Sequence, residues 1–494
     1  MFEPVIAPSA SLLGLLQRGR GDGQLHALAA DRTEAISALE ECVTSDPRAD
    51  WQVENRSLYY ARLYMELEAP LDGIEDHLHD PDDLLDHEDN RTGLALSVLG
   101  HLAAYGRRDA LLLLREYAAT GTNWAWALDE LAMRDDDTGL LLLGPAVLDH
   151  FPEGPEGDAD LRAAVRGAYE PRPWRLWAAH HPRIAAASEQ SPFDLWQRQL
   201  NRPGVTPGWG TADVLAWADQ GDPFDGAAAF DRFDPADPSE PDAGARRAAA
   251  AARCLAAVVR PEDRETVLEA ARNGLPGARR AALRHLVDVQ DPAAAALIEA
   301  AAADVDGRIV RAALEVLGRM RGPAALAHAR RWADPATGGA DSALGEAAVQ
   351  LLADAGEPAD APLVVAALRS WISVRGVSGA GLGTLVDGAG RFAAAASAAV
   401  PALRHVYGEA ASSELRGRAA RALAATDRHF PAGPAVECLW DCEEATRELA
   451  ARHVATTGDA RVLERLRRLA ADPAEEAEVH AAVRGRLTAR DRTR

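Results

Sequence analysis

Gly277-Ala-Arg-Arg-Ala-Ala-Leu-Arg-His-Leu286 and Gly307-Arg-Ile-Val-Arg-Ala-Ala-Leu-Glu-Val-Leu317 are two copies of one pattern. Ala281 and Ala312 hold matching places, a step of 31 residues. Each copy meets a turn, Asp291-Pro292 in the first and Gly322-Pro323 in the second, and then continues as another apolar run, the second ending near Trp332. A period of this length predicts stacked helical hairpins. In the second copy Ile309, Ala313, Val316, Leu317 and Met320 fall on one helical face. Asp304-Val-Asp-Gly307 supplies N-cap chemistry just before it. Helices this short cannot bury that face as a lone pair, so such units come in rows.

The segments Val310-Arg311-Ala312-Ala313-Leu314 and Leu415-Arg-Gly-Arg-Ala-Ala-Arg-Ala-Leu423 resemble the HEAT-repeat family. The likeness covers most of 244–475 and, more loosely, 56–151. It implies a superhelix of paired antiparallel helices and carries no catalytic residue with it. The expected fold class is therefore all-α: a HEAT-like α-solenoid of stacked antiparallel helical hairpins, with an irregular Trp-rich insertion. The expected organisation is N-terminal helical repeats over 1–151, a Trp/Pro-rich insertion and acidic linker over 152–243, the repeat array over 244–482, and an Arg-rich tail over 483–494.

Composition narrows the chemistry. The chain has 494 residues, 48% apolar and 26% charged, which is a globular balance. All 53 basic residues are arginine. Without lysine there is neither a Walker A loop nor a Schiff-base amine. The formal net charge of −23 works against duplex nucleic acid, whose affinity comes from phosphate neutralisation. The four cysteines, Cys42, Cys254, Cys438 and Cys442, are too scattered for a disulfide framework and read as buried or half-buried small apolar residues. Met1-Phe-Glu-Pro-Val-Ile-Ala-Pro-Ser has no signal-peptide pattern, and no apolar run reaches the roughly 18–20 residues of a membrane span. A cytoplasmic protein is expected.

Between Glu66 and Asp89 lie eleven carboxylates and no arginine. His77, His79 and His87 with Asp80, Asp86 or Glu88 offer imidazole and carboxylate donors for a metal. Yet His87-Glu88 is the one His-Glu dipeptide, where the HEAT-like deoxyhypusine hydroxylases repeat it to hold iron, and a calcium loop would need a glycine that is missing. The stretch reads as a solvated acidic surface, with Asp82, Asp83, Asp86 and Glu88 as partner contacts and no cofactor. Trp124 and Trp126 point about 200° apart on a helix, which places Trp124 in the core and Trp126 at the surface, where a tryptophan can anchor a partner. Trp174 and Trp177, from Pro171-Arg-Pro-Trp-Arg-Leu-Trp177, join the candidate contacts. Gly376-Val-Ser-Gly-Ala-Gly-Leu-Gly383 has Thr384 where a nucleotide loop needs its third glycine, so it reads as a turn between units. The five arginines between Arg484 and Arg494 read as a disordered tail.

No Ser-His-Asp order, catalytic carboxylate pair or zinc spacing stands out. The leading expectation is a non-catalytic scaffold for a protein or peptide partner, of basic character given the charge. The alternatives are a HEAT-like DNA-processing enzyme of the alkylbase-glycosylase type, and a metal-dependent enzyme using the 77–88 region.

Overall fold

The computed structural model describes residues 4–80, 91–188, 208–219, 243–337, 342–457 and 459–491. These are predominantly α-helical and contain no β-strand. In chain order the helices are α1 (Leu12–Gln17), α2 (Gly21–Ala29), α3 (Arg32–Thr44), α4 (Ser57–Glu66), α5 (Asp72–Leu78), α6 (Gly93–Ala104), α7 (Arg108–Thr120), α8 (Trp124–Arg134), α9 (Asp137–Leu148), α10 (Pro155–Gly167), α11 (Arg172–Ala178) and α12 (Pro182–Ser188). Next come α13 (Thr211–Ala218), α14 (Ala243–Val258), α15 (Arg264–Asn273), α16 (Pro276–Asp288), α17 (Ala294–Ala302), α18 (Gly307–Leu317), α19 (Pro323–Trp332), α20 (Ala343–Ala355), α21 (Ala361–Arg375) and α22 (Ala380–Phe392). The chain ends with α23 (Val400–Glu409), α24 (Ser413–Thr426), α25 (Pro434–Cys438), α26 (Glu444–His453), α27 (Ala460–Ala471) and α28 (Ala477–Asp491).

Packing gathers the chain into two units. One is Gln197–Leu403; the other joins Phe2–Trp196 to Arg404–Arg494.

In the first unit α14, α16, α18, α20 and α22 pack successively on one another. Between them α15, α17, α19 and α21 each pack on the helix that follows. α18 shows why. Ile309, Ala313, Val316 and Leu317 are buried, with Leu317 fully enclosed, and Asp306 caps the helix by accepting from the Arg308 N–H. Ion pairs join α16 to α18 at the sequence step itself: Arg284 to Glu315 at 3.3 Å and Arg319 to Asp288 at 2.8 Å.

The second unit is held by buried arginines that bridge its two sequence segments. Arg416, fully buried, donates to both Asp441 oxygens at 2.9 and 3.1 Å and to the carbonyls of Arg18 and Gly19. Arg56 reaches Glu54 at 2.6 Å and the Ala411 carbonyl at 2.9 Å. Glu475 accepts from Arg447 at 2.7 Å and from Arg62 at 2.8 Å, while Asp472 accepts from Arg62 and from the Tyr105 hydroxyl. Excellent geometry matters here, because an unpaired buried charge is far costlier than the pair is stabilising.

A second use of arginine recurs in both units. The last carbonyls of a helix have no partner inside it. Arg391 donates to the carbonyls of Leu352, Ala353 and Gly356 at the end of α20. Arg172 does the same for Ala132 and Asp135, and Arg486 for Val454, while Arg183 holds the Phe151 and Pro152 carbonyls in the connection between α9 and α10. A planar fork of five donors can gather several carbonyls at once, which an ammonium cannot do as well.

Two expectations are corrected. The described part of the 152–243 segment is mostly helical rather than irregular, forming α10, α11, α12 and α13. The Arg-rich end is helical through Asp491 rather than disordered. The proposed linker over 218–243 lies almost wholly outside the described residues.

Candidate functional site

The site is built on α20 and α21. α20 starts at Ser342, whose hydroxyl accepts from the Gly345 N–H at 3.0 Å. This cap sets Glu346, Val349 and Gln350 along one face at i, i+3 and i+4. α21 runs for 15 residues and buries Val364, Val365 and Leu368 on one side. Its other stripe carries Ala366, Ala367, Ser370, Trp371 and Val374. The small residues in the middle of that stripe leave space unfilled. The result is a cavity of about 410 Å³ between α20, α21 and the chain leaving α19, which contributes Ala333 and Pro335.

Trp371 is fixed from three sides. Its indole N–H donates to the Ser378 carbonyl at 2.9 Å. The Arg375 guanidinium lies 4.3 Å over its ring, a cation–π contact. Its edge rests on the glycines that open α22. A Cβ at Gly381 would stand 2.7 Å from the Trp371 ring and 2.4 Å from the Gln350 amide nitrogen. Gly376 and Gly379, with φ of 71° and 94°, make the turn that brings this edge round. The glycine-rich stretch, read from sequence as a turn between units, is a turn only over 376–379; Gly381 and Gly383 already belong to α22, and Gly381 backs the aromatic wall.

The polar groups of the cavity divide sharply. Arg375 donates to both Glu346 oxygens, at 2.7 and 3.0 Å, so these charges satisfy each other. Among the described residues the Gln350 amide and the Ser370 hydroxyl meet no hydrogen-bond partner. The cavity therefore offers apolar surface, one aromatic wall and uncommitted neutral donors and acceptors. None of Trp371, Glu346, Gln350 or Arg375 stood out in the sequence. The usable signal was a tryptophan followed at close range by Gly379 and Gly381.

The residues singled out by sequence fall elsewhere. Trp174 and Trp177 are core: they are 3% and 0% exposed, and Trp177 donates to the Leu140 carbonyl at 2.7 Å where Gly144 leaves room for its indole. Neither presents a face to a partner. Trp124 and Trp126 are both half-buried. Trp124 stacks on His150 at 5.1 Å, and Trp126 donates to Ser97 at 2.9 Å and meets the Trp51 ring at 5.5 Å. Trp51, 43% exposed, is the outer member of that pair. Asp82, Asp83, Asp86, His87 and Glu88 lie outside the described residues. His77 sits 3.3 Å from the Arg91 carbonyl, and His79 packs by the Tyr117 ring. Among the described residues no three His, Cys, Asp or Glu side chains converge as a metal set.

Several strongly shifted groups lie in the second unit. Burial would raise Glu475, but Arg447 and Arg62 outweigh it and bring its pKa down to about 2. Burial, with Arg134 and Arg62 nearby, lowers His101 to about 3. Burial pushes the Cys42 thiol up to about 12 and raises Cys438 and Cys442 as well, so none of these is a ready nucleophile.

No family model matches the chain, and no curated protein is similar to it. A solved structure described as the crystal structure of an engineered protein, from the Northeast Structural Genomics Consortium, is 15% identical over 95% of this chain and 98% of that one. Its TM-score is 0.20, too low to speak for a shared fold. No helix among the described residues is long and apolar enough to cross a membrane.

Proposed function

We propose that the chain is a non-catalytic helical-repeat scaffold, an α-solenoid of the HEAT kind, that binds a protein or peptide partner of basic character. The observation that carries this reading is the open cavity at Trp371, set between successive helices and holding neutral polar groups without partners. The 31-residue ion pairs between α16 and α18 support the repeat architecture. The net charge of −23 supports a basic partner. The free thiols of Cys42, Cys254, Cys438 and Cys442 fit a reducing, cytoplasmic setting. Asp82, Asp83, Asp86 and Glu88 are the acidic residues that the sequence offers to such a partner, and Trp51 with Trp126 adds an aromatic surface.

The test is binding of an octa-arginine peptide to the immobilised full chain, with a DNA duplex as counter-probe. Raising salt from 0.1 M to 1 M shortens the screening length from about 10 Å to about 3 Å, so peptide association should slow markedly. The peptide should leave unaltered in mass, as befits a scaffold. Duplex binding tighter than peptide binding would turn the reading toward the DNA-processing alternative.

A further inference from the structure

Among the described residues of the second unit, Arg18, Arg56, Arg62, Arg416, Arg447 and Arg465 are buried. Arg56, Arg62, Arg416 and Arg447 each hold a carboxylate within 3 Å. Arg18 donates instead to the carbonyls of Ala7, Gly14 and Glu409. Arg465, on α27, is the exception. It is 5% exposed, and its Nε donates to the Leu439 carbonyl at 3.1 Å. The Trp440 ring lies 5.3 Å from the centre of its guanidinium. Its Nη2 is buried and meets no hydrogen-bond partner among the described residues. The carboxylates around it are committed elsewhere. Glu475 takes Arg447 and Arg62, and Glu66 faces Arg468 and the Gln24 amide. Burial first, and then the charges of Arg62 and Arg447, bring the pKa of Arg465 down to about 9, so it remains charged at pH 7. An aromatic face compensates a buried cation less well than a carboxylate does. A water molecule satisfies the N–H but brings no charge. What Arg465 lacks is one negative charge with two acceptors in the plane of its fork, which is what a carboxylate offers. A phosphate dianion would bring a second charge against Glu66 and Glu475.

We propose that Arg465 anchors a binding site for a small carboxylate, whose two oxygens accept from Nη1 and Nη2 beside Trp440 and which supplies the counter-ion that the described chain does not. This site belongs to the second unit, whereas the Trp371 cavity belongs to the first, so it stands apart from the scaffold reading.

The test uses the full chain in a chloride buffer free of carboxylates and phosphate, with sodium acetate replacing sodium chloride at constant ionic strength. Acetate should raise the wild-type melting temperature by several degrees along a saturating curve, because a ligand of the folded state stabilises by mass action. Carbon-13-labelled acetate should show line broadening with the same protein, a readout that needs no variant. Arg465→Met and Arg465→Gln should melt above the wild type in chloride, since the uncompensated charge is gone, and neither should respond to acetate. Arg461→Gln, on the exposed side of the same helix, should respond as the wild type does. No acetate effect on the wild type, or an equal effect in both Arg465 variants, overturns the proposal. So does a lower melting temperature of both variants in chloride, which would show the charge to be compensated already. A response to sodium phosphate without one to acetate overturns the assignment of the ligand as a carboxylate.

Discussion

Arg416 shows what a single buried ion contributes. Its removal as Arg416→Met leaves Asp441 buried without its counter-ion, held only by the Glu443 N–H, and a loss of about 3–5 kcal/mol is expected in urea unfolding of the second unit. Adding Asp441→Leu should recover much of it, since the penalty comes from the stranded charge. Glu475 and His101 make the same unit sensitive to acid. Glu475 falls from its ordinary 4.5 to about 2 in the folded state, so its contribution, about 3 kcal/mol, is complete above pH 4.5 and disappears toward pH 2. His101 stays neutral in the fold down to about pH 3 but protonates near 6.5 when unfolded. Stability is therefore drawn down as pH drops below 6.5, and again below 4.5. His101→Leu should flatten the upper limb and Glu475→Gln the lower one; a melting-temperature profile on both variants separates them. Residue-scale reading of the sequence succeeded for the cysteines: Cys42, Cys438 and Cys442 are buried and Cys254 is half-buried. It failed for Trp174 and Trp177, because burial depends on partners such as Gly144 that no local pattern announces.

At the scale of helices, the 31-residue period was legible because the faces that pack every second helix must recur with it. The helices α10, α11 and α12 were not, and their prolines explain why. The proline content of 152–243 reads as irregular, yet Pro155, Pro173 and Pro182 each sit in the first turn of a helix, where a missing N–H costs nothing. The cavity was illegible for a different reason. It is defined by what Ala366, Ala367 and Gly381 lack. Gly381→Ala should push into Trp371 and Gln350, costing about 1–3 kcal/mol and disturbing the cavity; near-ultraviolet circular dichroism would register the displaced indole. Arg391→Lys keeps the charge but gathers fewer carbonyls. It should cost about 1–3 kcal/mol and speed hydrogen exchange in the last turn of α20, with the first turn unchanged. Leu317→Ala, within α18, should cost about 2–5 kcal/mol and loosen its immediate neighbours first.

At the scale of the whole molecule, the charge and the missing lysines were readable from composition, whereas the joining of Phe2–Trp196 with Arg404–Arg494 was not. Such a pairing rests on contacts some 400 positions apart, as between Arg62 and Glu475. It has a consequence on the ribosome. Synthesis proceeds from the N-terminus at about 5–20 residues per second, so the segment Gln197–Leu403 takes roughly 10–40 seconds to emerge. Throughout that interval Arg56 and Arg62 wait without Ala411, Asp472 and Glu475. Nascent chains stalled once Leu403 has cleared the exit tunnel should be protease-resistant within 197–403 and cut readily within 2–196. The part of the protein made first is the part completed last, and for that half-minute it is the natural client of a chaperone.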